Sequence, residues 1–156
     1  MQKNPGEARE TSLPEKVETQ LCFAVYGAAH AFTRTYKPLL EPLGLTYPQY
    51  LVMLVLWDED GQPVRAIGDR LGLDSGTLSP LLKRLEQAGL VKRIRDTHDE
   101  RQVRISLTDK GNEMRRKAAA VTKEIGSAVG CSFEEMERLR DDLLELTGRL
   151  AKQPAA

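Results

Sequence analysis

This sequence contains no run of about 18 uninterrupted apolar residues, the length a membrane-crossing helix requires. Its polar N-terminal stretch also lacks the apolar core of a secretory signal. The expectation is a soluble, cytoplasmic chain with no membrane partner. Metal-binding residue types are scarce as well. The two histidines, His30 and His98, and the two cysteines, Cys22 and Cys131, form no zinc-ligand spacing, so no metal and no cofactor is expected. No excess of charge exists either: Lys plus Arg and Asp plus Glu both number 23. That removes a uniformly basic nucleic-acid binder, but what a surface attracts depends on where its charges sit. Residues 62–115 carry a net +3, residues 1–61 a net −3, and the remainder is balanced.

At 156 residues the chain suits one domain and can bury a core without metal or disulfide staples. Residues 12–15 (SLPE) read as a capping box with proline in the first turn. The apolar residues Val17, Leu21, Val25, Ala28 and Phe32 then recur at helical spacing, and Pro38 should kink or end that helix. A second capping box, TYPQ at 46–49, opens a segment through Trp57 that is apolar on every side and suits a buried central helix.

Residues 62–73 predict a short helix with Pro63 in its first turn and Gly72 at its end. Residues 74–88 predict another, stopped by Gly89. It buries Leu78, Leu81, Leu82 and Leu85 and presents Ser75, Thr77, Ser79, Lys83 and Arg84 on its other face. The period then changes. Residues 90–95 and 102–107 alternate between apolar and polar, which argues for two strands, with a charged tip at 96–101. A long alanine-rich helix from Thr108 to about Gly130 follows. A third capping box, SFEE at 132–135, starts a last helix with Phe133, Met136, Leu139, Leu143, Leu146 and Leu150 on one stripe.

Two short helices joined by a glycine-containing turn and followed by a basic hairpin make a winged helix-turn-helix. The fold class is mainly α with a small β-hairpin wing. The second helix suits a major groove, and Arg95 and Arg101 on the wing suit a neighbouring minor groove. Asp99 is placed to orient the Arg101 guanidinium. The alternative is a helical domain whose hairpin merely covers an edge.

Residues 21–111 resemble a MarR-type transcriptional regulator. The likeness is carried by DSGTLSPLLKRL at 74–85, DER at 99–101 and LTDKG at 107–111. It implies a single domain over 1–156: about 12–45 and 112–152 as dimerisation helices, and about 46–111 as the winged DNA-binding lobe. It also implies a homodimer on a near-palindromic double-stranded operator. The apolar stripes of the terminal helices suit such an interface, although an intrachain core would use them equally well.

The segments LCFAVY at 21–26, YKPLL at 36–40 and LTYPQY at 45–50 resemble the organic-hydroperoxide-sensing branch of that family. The resemblance makes Cys22 the peroxide-reactive residue, with Tyr36 and Tyr47 of a partner subunit donating hydrogen bonds to its sulfur. Cys131 resembles the second cysteine of a two-cysteine subgroup, which condenses with the oxidised first cysteine of the other subunit. The implied function is a non-enzymatic repressor, bound to DNA when reduced and released by organic hydroperoxide. From the residues alone, inert buried cysteines and core tyrosines remain open. Two other functions remain open too: a repressor released by a phenolic or lipophilic ligand, with Cys22 structural, and a thiol peroxidase.

Overall fold

The computed structural model describes residues 16–153, so the SLPE capping box at 12–15 lies outside the described residues. After a single 3-10 turn at Val17–Thr19, helix α1 runs Leu21–Leu40 and includes Pro38 in its last turn. The helix runs two residues beyond that proline, whose missing N–H leaves the Arg34 carbonyl without its helical donor. A 3-10 turn, Glu41–Leu43, and Gly44 at φ 67° bend the chain by 70° into α2, Tyr47–Asp58.

The second capping box forms as the sequence requires. Thr46 Oγ1 accepts from the Gln49 N–H at 3.4 Å, and Gln49 Oε1 accepts from the Thr46 N–H at 2.9 Å. That bond also explains why a glutamine can be buried here. Helix α2 packs against α1 and, further along the chain, against α3 (Val64–Leu71), α4 (Ser75–Gln87) and α5 (Asp109–Val129). Its all-round apolar surface is therefore matched by neighbours on most sides, with only Leu54 among its large apolar residues exposed.

Helix α4 begins where Asp74 accepts the Thr77 N–H at 2.8 Å, and it buries Leu78, Leu82 and Leu85 almost completely. Each such leucine contributes about 1.5–3 kcal/mol of burial. Helix α5 starts against the same core. Thr108 Oγ1 accepts from the Gly111 N–H and donates to the Gly89 carbonyl, while Trp57 Nε1 donates to the Gly111 carbonyl at 2.9 Å. A Cβ on Gly111 would collide with the Leu90 carbonyl oxygen, so only glycine lets the helix approach this closely.

Two expectations need correction. Gln62 and Pro63 are not a first helical turn; they form a short strand, β1, which pairs antiparallel with Val103–Leu107 (β3). With Val91–Arg95 (β2) on the other side, the sheet has three strands in the order β1-β3-β2. Proline is tolerated because β1 is an edge strand. Alternation also holds in only one partner. On β3 Ile105 and Leu107 are buried and alternate with the half-buried Arg104 and Ser106, but on β2 Val91 is buried while Ile94 is exposed. Val91 and Ile94 are three residues apart, so a period of two sends them to opposite faces.

The last helix, α6 (Phe133–Ala151), opens with the third capping box, Ser132 and Glu135, and has no buried residue. In α1 only Leu40 is buried. Leu21, Phe23, Tyr26 and Phe32 on α1, and Phe133, Leu139, Leu143, Leu144 and Leu150 on α6, are exposed. These stripes are not part of the intrachain core. Among the described residues no single helix is long and apolar enough to cross a membrane.

Candidate nucleic-acid interface and thiol site

The polar face of α4 comes directly from its period. Ser75, Ser79 and Lys83 recur every four residues and line one ridge, while Thr77 and Arg84, seven apart, line a second. All five are exposed, away from the buried leucines. The N-terminal turn is held open by Asp74, whose carboxyl lies below the usual range because the Thr77 backbone N–H bonds to its charged form.

The wing lies beside this turn. Ser75 and Arg101 line one open cleft of about 810 Å³, together with Arg65 and Asp69 of α3. The N-terminus of α4 and the wing tip therefore face the same space. Arg95, at the end of β2, is exposed. Asp99 behaves differently from its expected role: its Oδ1 accepts the backbone N–H of Arg101 at 3.1 Å, and its Oδ2 takes the Gln102 side chain. The carboxylate shapes the wing turn, and these bonds do not include the Arg101 guanidinium.

Two wing residues escaped sequence reasoning. Arg104, a polar position on β3, pairs with Asp96 and also donates from Nη1 to the Gly61 carbonyl at 2.9 Å. Asp96 is almost fully buried and accepts the His98 N–H at 2.8 Å. The His98 N–H and then the Arg104 guanidinium hold its carboxyl below the usual carboxylate range. Nothing local marks this pair, because the partners lie eight residues apart across a hairpin.

Both cysteines are free thiols. Cys22 is exposed on the second residue of α1, at the positive end of that helix's dipole. Cys131 is half-buried at the junction of two helices, between Gly130, which ends α5 at φ 69°, and Ser132, which caps α6. Tyr36 and Tyr47 stack with ring centroids 4.7 Å apart, and Tyr50 lies 5.7 Å from Tyr36. Burial, then the neighbouring Tyr47 and Tyr50, pushes the Tyr36 phenol up to about 12. Burial and then Tyr50 raise that of Tyr47. Both are neutral O–H donors at ordinary pH.

The fold brings these tyrosines together but separates them from the thiol of their own chain. Cys22 and Tyr36 stand at opposite ends of α1, about 21 Å apart at 1.5 Å per residue. His30 stacks edge-on with Tyr26 at 4.3 Å on the exposed part of the same helix. Among the described residues no group of three or more His, Cys, Asp or Glu side chains is positioned to hold a metal ion.

The comparisons with known proteins agree with this architecture. The family described as transcriptional regulator SarA/Rot matches residues 34–117. The HTH-type transcriptional regulator TtmR of Methylorubrum extorquens is 53% identical over 137 residues, which span 88% of this chain and 70% of that protein. The organic hydroperoxide resistance transcriptional regulator of Bacillus subtilis is 45% identical over 131 residues, 84% of this chain and 89% of its own length. Among solved structures, reduced AbfR bound to DNA superposes with a TM-score of 0.71 at 40% identity, covering 88% of this chain and 96% of that one. These relatives are described as regulators rather than enzymes. The polar face of α4, the adjoining wing and these matches have one meaning: the chain belongs to the SarA/Rot family of transcriptional regulators, DNA-binding winged-helix proteins of the MarR type.

Proposed function

We propose that this chain is a homodimeric repressor that grips a near-palindromic operator while Cys22 is reduced, and releases it once an organic hydroperoxide has oxidised that thiol. The observation that carries the reading is the separation of Cys22 from Tyr36 and Tyr47 within one chain, combined with apolar faces on α1 and α6 that are left exposed among the described residues. A second copy, with its α1 antiparallel to the first, supplies the tyrosines to the thiol and covers both faces. Residues 12–45 and 112–152 then serve dimerisation, and residues 46–111 serve DNA binding. Further support comes from the description of the Bacillus subtilis relative as an organic hydroperoxide resistance regulator.

The chemistry is a two-electron oxidation of sulfur. The Cys22 thiolate attacks the peroxide, the O–O bond breaks, an S–O bond forms, and the alkoxide leaves with a proton as the alcohol. Phenol O–H groups of Tyr36 and Tyr47 from the second copy steady the sulfur anion. Leu21, Phe23 and Val25 favour an alkyl tail. The Cys131 thiolate of the other copy then attacks the sulfenic sulfur, and the S–O bond breaks with release of water. The resulting intersubunit disulfide pulls on the α5–α6 junction and displaces the two lobes from successive grooves. Ser75, Thr77, Ser79, Lys83 and Arg84 read and grip the major groove in the reduced state. Arg95 and Arg101 reach the flanking backbone and minor groove, with Asp99 holding the wing turn. About 4 kcal/mol of lost affinity corresponds to roughly a thousandfold weaker binding.

The test is an operator-shift assay on wild-type protein and Cys22→Ser, before and after cumene hydroperoxide. Wild type should bind and then release, and Cys22→Ser should stay bound. Release of Cys22→Ser by the peroxide would remove Cys22 from the mechanism. Wild-type protein that stays bound after oxidation would overturn the redox reading altogether.

A further inference from the structure

The wing of this chain is tied to the turn after the central helix by the β1–β3 pairing, by the Leu107 N–H to Asp60 bond and by the guanidinium of Arg104. Arg104 sits on the middle strand of the sheet, opposite Ile94 on β2 and Pro63 on β1. Its Nε pairs with the carboxylate of Asp96, the first residue after β2. Its Nη1 donates to the carbonyl of Gly61, the last residue before β1, at 2.9 Å. The other Asp96 oxygen takes the His98 N–H in the wing tip at 2.8 Å. The Asp96 N–H donates to the Gln102 carbonyl, and the Gln102 N–H in turn donates to the Asp99 carbonyl. Hydrogen bonds therefore run unbroken from the turn after α2 to the residues that carry Arg101.

We infer that Arg104 is a positioning residue for DNA binding: bridging Asp96 and Gly61, it sets the angle at which the wing presents Arg101. The inference rests on the winged-helix reading of Arg101 and deepens it. A two-stranded ribbon projecting from a small sheet twists and bends freely unless something spans it. Here β1 ends opposite Arg104, and the guanidinium carries the tie onward to Asp96, at the base of the two-stranded part. A planar fork donates to two acceptors in fixed directions, which an ammonium does not reproduce. Asp96 is 9% exposed, so water competes little at the carboxylate end of the bridge. Arg104 itself is 43% exposed, and replacing it leaves the apolar core on the other face of β3 intact.

The test uses the full chain and a short duplex selected from a randomised pool on the wild-type protein. Affinity is measured against salt concentration for wild type, Arg101→Ala, Arg104→Gln, Arg104→Lys and the double variant Arg101→Ala/Arg104→Gln. Arg104→Gln should bind about tenfold more weakly and lower the slope of log affinity against log salt by about one, as Arg101→Ala does. The double variant should bind no more weakly than either single variant, because both remove the same wing contact. Arg104→Lys should recover only part of the loss. Wild-type affinity in Arg104→Gln, or losses that multiply in the double variant, would overturn the inference while leaving Arg101 as a DNA contact. Wild-type affinity and slope in Arg101→Ala would overturn the wing reading and the inference together.

Discussion

The rings of Tyr36 and Tyr47 lie 4.7 Å apart, centroid to centroid, tilted by 38°. One comes from the last turns of α1 and the other opens α2, so the 3-10 turn and Gly44 between those helices set their spacing. Offset, tilted rings suit the quadrupoles of two aromatics and are worth about 0.5–1.5 kcal/mol beyond burial. The pair offers two neutral hydroxyls from one surface. Along α1 the Cys22 thiol stands about 21 Å from Tyr36, too far to take a hydrogen bond from it.

The raised phenol of Tyr36 has a consequence for alkaline stability. The fold favours its neutral form, holding it at about 12 against an ordinary value of 10. That stabilisation is complete below pH 10 and is lost as pH climbs through 12. Denaturation midpoints measured against pH should therefore fall less steeply over that window in Tyr36→Phe than in wild type. Parallel curves would contradict the burial of this hydroxyl.

Sensing should depend on the tyrosines more than DNA binding does. Tyr36→Phe and Tyr47→Phe should each slow thiol loss under cumene hydroperoxide by roughly tenfold, the cost of about one hydrogen bond to a charged group. Reduced-state affinity for the operator should stay within about twofold, since neither residue lies on the α4 face or the wing. Unchanged oxidation rates, followed with a thiol reagent, would leave the pair a purely structural contact.

Cys131 can be isolated by electrophoresis. Peroxide-treated wild type should run as a covalent dimer without reductant, and Cys131→Ser should run as a monomer. A covalent dimer persisting in Cys131→Ser would exclude the two-cysteine route.

The exposed stripe of α6 predicts its own disruption. Leu139 and Leu143 are one helical turn apart and are 56% and 40% exposed. Replacing both with glutamate should leave helical content unchanged by circular dichroism and shift the sedimenting species to a monomer. Operator binding should fall by at least tenfold, because one lobe no longer holds the other on the duplex. A dimer that survives would place the interface elsewhere.

Gly111→Ala probes the junction of the lobe with α5. Its added Cβ meets the Leu90 carbonyl, so the helix must back away and stretch the Trp57 bond to the Gly111 carbonyl. A loss of about 1–3 kcal/mol in chemical denaturation is expected. Wild-type stability would mean that the contact relaxes freely.

Much of this molecule is written in short-range terms. The caps at Thr46, Asp74, Thr108 and Ser132 each bind an N–H three residues on, so the residues that start those helices lie next to them in the chain. The leucines of α4 and the polar ridges opposite follow from one period, and the candidate DNA face could be read from it. The segments around Cys22, Tyr36 and Tyr47 carried the family resemblance in the same local way.

Other features depend on residues far apart in sequence. Two residues, Gln62 and Pro63, are too few to show a strand's alternation, and they became β1 only because β3 supplied an edge more than 40 positions later. Asp99 shapes the wing turn because a short carboxylate satisfies the nearest backbone N–H first. Nothing in the sequence sets Arg104 apart from the other polar positions of its strand, because Asp96 and Gly61 come within reach of it only on folding. The four capped helix starts and the faces of α4 arise from bonds three or four residues long, so sequence alone determined them. Sheet membership and the Arg104 bridge arise from groups that meet only after the chain has closed on itself, so the tertiary structure decided them.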